Sequence, residues 1–166
     1  MGKNKEKRRL EELNGHAELD TKDVVRVLNR ILELELAGVV RYMHYSFMIF
    51  GHHRIPIVKW LRDQSTESMD HATQAGEHVT NLGGHPSLQI GELLETHKHG
   101  VDEILAESLE HEGEGLDGYR ELLALVAGKD VMLEEYARDM IAAEVAHADE
   151  VNKMLRRPGQ TDAFAL

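Results

Sequence analysis

The sequence predicts an all-α protein in which two helical hairpins, joined by one long crossover, pack as a four-helix bundle, and three observations predict it. Helix-favouring Leu, Glu, Ala and Met fill long stretches, and the three prolines, Pro56, Pro86 and Pro158, stand where those stretches break. Within the stretches, apolar residues recur every three or four positions, the spacing of a helix with one buried face. The connections are unequal. Lys129-Asp130 is a tight turn, whereas Gly84 to Gly100 is long enough to run the length of a bundle.

Each helix has its own signals. Asp20-Thr21-Lys22-Asp23 supplies N-cap chemistry, and the first helix can run from there to Gly51. After His52-His53-Arg54-Ile55, Pro56 suits a first helical turn, and the second helix continues to about Leu82, where Gly83-Gly84 ends it. The third helix spans about Val101 to Val126 and stops near Gly128. The short turn after it makes the fourth, about Val131 to Arg156, antiparallel to the third. Around this bundle of residues 20–157, residues 1–19 read as a flexible charged extension and 158–166 as a short tail.

Composition narrows the chemistry. At 166 residues the chain fits one domain and can bury roughly 70% of the surface its unfolded form exposes. It has no cysteine, which excludes disulfides, thiolate metal sites and cysteine nucleophiles; any metal must be held by oxygen and nitrogen, which suits iron, manganese or zinc. The formal net charge of -11 disfavours nucleic acid as a partner and favours cations. The basic run Lys3, Lys5, Lys7, Arg8, Arg9 reads as a solvated tail rather than a DNA-touching arm. No apolar run is long enough to span a bilayer, and the N-terminus lacks the apolar segment of a secretory signal, so a cytoplasmic protein without a membrane partner is expected.

The residues that carry chemistry lie in apolar stripes. In the fourth helix, Glu144 and His147 are three apart, and the stripe around them runs Ala137, Met140, Ile141, Ala148, Val151 and Leu155. In the first helix, Glu35 is the one polar member of a stripe containing Leu28, Leu32, Val39 and Tyr42. Glu112 repeats this in the third with Leu105, Leu109, Leu116 and Tyr119, so that a tyrosine follows each Glu by seven residues. The second helix contributes His71. One buried carboxylate could pair with an arginine or a tyrosine hydroxyl, since leaving it unpaired costs several kcal/mol. Carboxylates on three helices with two histidines match a different arrangement, a Glu from each of two helices plus Glu-x-x-His pairs from the other two, which holds two metal ions in a bundle core.

On these motifs the chain resembles a bacterioferritin-type member of the ferritin-like di-iron superfamily over about Val24 to Leu155. The likeness rests on Leu34-Glu35-Leu36 with Tyr42, Met69-Asp70-His71-Ala72, Val101 through Glu112, and Glu144-Val145-Ala146-His147. It implies an up-down-down-up ferritin-like bundle with the crossover between the second and third helices. It also implies a di-iron site: Glu35 and His71 for one iron, Glu112 and His147 for the other, and Glu144 as a bridge. Manganese or zinc could take the same ligands.

The second helix departs from the pattern. The family places a bridging Glu three residues before His71, yet that position is Ser68, with Glu67 beside it. Four residues before a histidine still lies only about 40° away in projection. Either Glu67 bends inward as a ligand, the reading favoured here, or the site has one bridge fewer. Met69 stands where bacterioferritins place the axial ligand of a haem b, but Val40, Met43, Arg62 and Thr66 around it are not distinctive, and Met on a long helix more often packs. Tyr42 and Tyr119 are expected either to hydrogen-bond the ligating carboxylates or to pack in the core. His52, His53, His97 and His99 read as surface histidines at helix ends or in the crossover.

The function the resemblance implies is oxidation of ferrous to ferric iron by dioxygen or peroxide, for iron storage and homeostasis, in a homodimer or larger homo-oligomer. A rubrerythrin-like peroxide scavenger and a DNA-protecting iron-binding bundle are the alternatives. The nine residues after Arg157 are too few for the fifth helix of bacterioferritins, which leaves a closed shell open to question.

Overall fold

The computed structural model describes residues 19–93 and 96–164 and contains four helices: α1 (Thr21–Met48), α2 (Arg54–Asn81), α3 (Val101–Val126) and α4 (Val131–Leu155), with no strand among the described residues. Asp20 caps α1 as its sequence suggests, accepting from the backbone N–H of Lys22 at 3.1 Å and of Asp23 at 3.3 Å. Asp130 does the same for α4 through Leu133 N at 3.0 Å. Helix α1 ends three residues before the expected Gly51, because Ile49 turns extended (φ -78°, ψ 123°) and buries its side chain completely. Pro56 lies in the first turn of α2. That helix ends through Gly83 at φ 75°, whose N–H donates to Thr80 O at 2.9 Å, while Gly84 N donates to Val79 O at 2.9 Å.

Packing joins α1 to α2, α3 to α4, and α1 to α3. Contacts between α1 and α3 pair 35 with 119 and 42 with 112, so these two helices run antiparallel. Between α2 and α4 they pair 71 with 144, 67 with 147 and 78 with 136, again antiparallel. The four directions are therefore up, down, down, up, the ferritin-like arrangement expected from the single crossover. The crossover is fastened along α1: Gly91 N donates to Glu33 O at 2.7 Å, Asn29 Nδ2 to His85 O at 3.1 Å, and Ser87 N to Asn29 Oδ1 at 2.8 Å.

The core is in two parts. One cluster, with Leu28, Ile31, Tyr119, Leu122, Val126 and Met140 among its members, fills one end of the bundle. A second, built on Tyr42, Tyr45, Ile49, Val58, Leu61 and Ile104, fills the other. Each fully buried aliphatic side chain contributes about 1.5–3 kcal/mol. Between the clusters lies a polar layer of Glu35, Ser68, His71, His111, Glu112 and Glu144, each no more than 7% exposed. The two apolar clusters hold this layer in place, and its own groups must satisfy one another.

No helix among the described residues is long and apolar enough to cross a membrane. After α4, residues 156–164 form no further helix and fold back on it, with Asn152 Nδ2 donating to Phe164 O at 3.0 Å. The expected N-terminal extension, with its basic run, lies outside the described residues but for Leu19, which packs against the first core cluster.

Candidate metal centre

Four helices each bring at least one ligand-type side chain to the polar layer. Glu35 on α1, His71 on α2 and Glu144 on α4 offer atoms that all lie within 4.8 Å of one another; so do Glu112 on α3 with Glu144 and His147 on α4. Glu144 belongs to both groups. His71 Nδ1 stands 3.5 Å from Glu35 Oε1 and 3.3 Å from Glu144 Oε1, and His147 Nδ1 stands 3.8 Å from Glu112 Oε2. The two imidazoles are nearly parallel, with centroids 6.4 Å apart and planes at 17°. The result is two neighbouring donor sets related by an approximate repeat, sharing one carboxylate.

Each outer carboxylate is oriented by a tyrosine from the facing helix. Tyr119 O–H donates to Glu35 Oε1 at 2.8 Å, and Tyr42 O–H donates to Glu112 Oε1 in a short contact. The spacing of seven between Glu and Tyr in the sequence has a tertiary cause: the tyrosine of α1 serves the glutamate of α3, and the reverse. Burial, then the nearby Glu112 carboxylate, raises Tyr42 well above the ordinary phenol range; burial and Glu35 do the same to Tyr119. Both phenols therefore remain donors at any ordinary pH.

The electrostatics show what the pocket wants. Three carboxylates buried within one layer repel one another, and cations standing between them would relieve that repulsion. Burial disfavours a charged His71, yet the hydrogen bonds and charges of Glu144 and Glu35 outweigh it and lift the imidazole to about 10. Burial, then Glu144 beside it, raises Glu112 well above the usual carboxylate range. Buried oxygen and imidazole donors with no sulfur suit a divalent first-row cation, and the donor set fits iron, manganese or zinc.

Five of the six residues singled out in the sequence fall into the two groups. Glu67, the sixth, belongs to neither: its side chain is 41% exposed and reaches His147 Nε2 at 3.1 Å from the rim, on the opposite ring nitrogen from Glu112. Ser68 occupies the inward position. Met69 lies 45% exposed, with Val40 and Met43 also exposed. His52, His53 and His97 are exposed and His99 is half-buried, at the bundle end and in the crossover.

The layer also contains residues that sequence reasoning missed. His111 is 6% exposed and, with Gln64, lines the small cavity of about 10 Å³ at the centre of the cluster. Arg41, 8% exposed, places Nη1 3.1 Å from His111 Nδ1. The signal that could have found them is Gly38, one turn from Glu35 on the same stripe. Gly38 faces Ser68, and two small residues opposite each other leave room for a ring from a third helix.

Solved structures share this architecture at low identity. Ferritin-like diiron-carboxylate proteins from Bacillus anthracis str. Ames superpose with a TM-score of 0.79 at 24% identity, covering 82% of this chain and 98% of theirs. The dodecameric thioferritin of Bacteroides fragilis, a bacterioferritin-related protein, gives 0.76 at 19%, with coverages of 86% and 89%. Rhodobacter capsulatus bacterioferritin, a haem protein whose dinuclear site is metal-free in that structure, gives 0.68 at 24%, with 81% and 84%. No curated protein matches the chain significantly. The ferritin-like domain family matches residues 25–159, nearly the whole bundle, and the chain belongs to that family.

Proposed function

We propose that this protein binds ferrous iron at the Glu35, His71, Glu112, Glu144 and His147 cluster and oxidises it, as an iron-handling ferroxidase. The observation that carries the reading is the sharing of Glu144 between two three-donor groups, one fully buried and the other buried but for a half-buried His147, because a carboxylate with a donor set on each side can hold two cations within a few ångströms. Two ferrous ions oxidised together release the two electrons that reduce dioxygen to peroxide, or peroxide to water, with two protons taken up.

The chain's own residues set the conditions. Glu35 and His71 form one donor set, Glu112 and His147 the other, and the tyrosine hydroxyls fix both outer carboxylates. The apolar clusters above and below keep bulk water out of the layer. Glu67, half in solvent and touching His147, stands where an arriving cation would meet its first carboxylate. Iron is the favoured cation, and manganese or zinc fits the same donors. Haem has no observation in its favour beyond the position of Met69.

Replacing Glu144 with Ala should abolish the fast phase of ferric absorbance when the protein is mixed with a ferrous salt in a stopped-flow instrument. An unchanged rate would remove the proposal. We further read the protein as a homo-oligomer, with Val40, Met43, Phe47, Phe50 and Met69 exposed along α1, the turn after it and α2. Light scattering of the purified protein would decide this, and a monomer at micromolar concentration would refute it.

A further inference from the structure

Outside the polar layer, three histidines gather beside the second core cluster. His44 stands on α1, and His97 and His99 stand at the end of the crossover, just before α3 begins at Val101. The ring of His99 neighbours both others: its centroid is 6.4 Å from that of His44 and 6.3 Å from that of His97, with planes at 66° and 84°. His44 and His99 are half-buried, and His97 is exposed.

The surroundings hold this trio together. The half-buried Glu107 carboxylate accepts from Tyr45 O–H at 2.7 Å through Oε2 and from the Thr96 hydroxyl through Oε1. One side chain of α3 thus fastens the residue after His44 and the residue before His97. Thr96 Oγ1 in turn accepts from Lys98 N at 3.3 Å, which fixes the chain between the two crossover histidines. His97 is the one non-glycine residue with a positive φ, 57°, among the described residues. Strain of this kind persists only where neighbouring contacts over-determine it, and here it falls on a residue of the trio.

The donors differ in kind from those of the polar layer. The central groups are rich in carboxylate oxygen, whereas this trio offers imidazole nitrogen alone. Nitrogen donors suit copper(II) and nickel(II), which stand above ferrous iron in the order of affinities. An ion about 2 Å from each ring nitrogen sets imidazole centroids roughly 4.5–5.5 Å apart, so the rings stand wider by about an ångström. Rotation of the exposed His97 ring and a small inward tilt of the other two close that gap within ordinary side-chain motion.

We propose that His44, His97 and His99 form a second, imidazole-only metal site that takes copper(II) or nickel(II) and ties the end of the crossover to α1. It does not rest on the reading of the central groups. Cu²⁺ is titrated into the full, untagged chain and followed by electron paramagnetic resonance, where coupling to nitrogen counts the bound imidazoles. Wild type should bind one Cu²⁺ coupled to three nitrogens, a signal the central groups cannot supply with two imidazoles between them. His97→Gly suits the left-handed backbone and removes the ring, so the fold should be kept while this Cu²⁺ binds at least about tenfold more weakly. His44→Ala should do the same. Glu144→Ala, which disrupts the central groups, should keep the three-nitrogen signal, as should His52→Ala combined with His53→Ala. Absence of that signal in wild type, its survival in His97→Gly or His44→Ala, or its loss in Glu144→Ala or the His52 and His53 variant would overturn the proposal. Failure of ferrous oxidation with the copper signal intact would remove the central reading alone and leave this site standing.

Discussion

Adding a redox-silent cation to the metal-free protein should drive protons out of the site, and the number of protons follows from the geometry. At pH 7.5 His71, lifted to about 10 by Glu144 and Glu35 against its own burial, is almost fully protonated. A metal-bound imidazole must be neutral, so saturating Zn²⁺ displaces about one proton from His71. Glu112, raised by burial and by Glu144, releases a further fraction, which puts the total between about one and two protons per chain. Isothermal titration calorimetry in two buffers of different ionisation enthalpy measures this directly. The same protons govern stability. A base whose folded pKa is raised stabilises the fold fully below its unfolded value of 6.5, and that contribution disappears as pH rises through about 10. At about 1.36 kcal/mol per pH unit, the His71 contribution amounts to at most about 5 kcal/mol between those limits. Glu112 acts in the same direction, since the folded chain keeps its proton at a pH where the unfolded chain has released it. The metal-free protein should therefore melt at progressively lower temperature from pH 6.5 to 9.5, and the Zn²⁺-loaded protein should not show that decline. Absence of net proton release at pH 7.5, or a metal-free protein that gains stability across this range, would refute the reasoning.

Three further outcomes are expected. Glu67→Gln should leave the Zn²⁺ stoichiometry unchanged and lower affinity by about tenfold, because Glu67 touches His147 from the rim and belongs to neither donor group; a lost equivalent of metal would show it to be an indispensable ligand. Tyr119→Phe removes the 2.8 Å donor from Glu35 and should weaken Zn²⁺ binding by about 10–100-fold with helical circular dichroism unchanged. Leu122→Ala, in the fully buried cluster away from the polar layer, should cost about 2–5 kcal/mol in urea denaturation without altering metal stoichiometry.

Much of this was legible before any fold was known. The helix bounds followed from local chemistry: Asp20 as a cap, Lys129-Asp130 as a tight turn, Gly83 and Gly128 past helix ends, and Pro56 in a first turn; that Asp130 also caps α4 came from the structure. Glu35, Glu112 and Glu144 stood out because an apolar stripe surrounds each, and the structure buries all three to within 6%. His111 did not stand out. It lies next to Glu112, and its partner Arg41 lies next to Tyr42, so each was hidden beside a more conspicuous neighbour. Their pairing spans seventy residues of sequence, and no local pattern encodes it.

The chain by itself determined four amphipathic helices, one long crossover, and polar residues placed at matching depth on each buried face, since periodicity and capping act within a few residues. Tertiary packing alone decided which atoms meet. Antiparallel α1 and α3 give each tyrosine the other helix's glutamate, Glu144 falls between two donor sets, and Glu67 stays at the rim while Ser68 turns inward. Those outcomes depend on the rotation and offset of one helix against another to within an ångström or two, which packing of the two apolar clusters sets and sequence spacing does not.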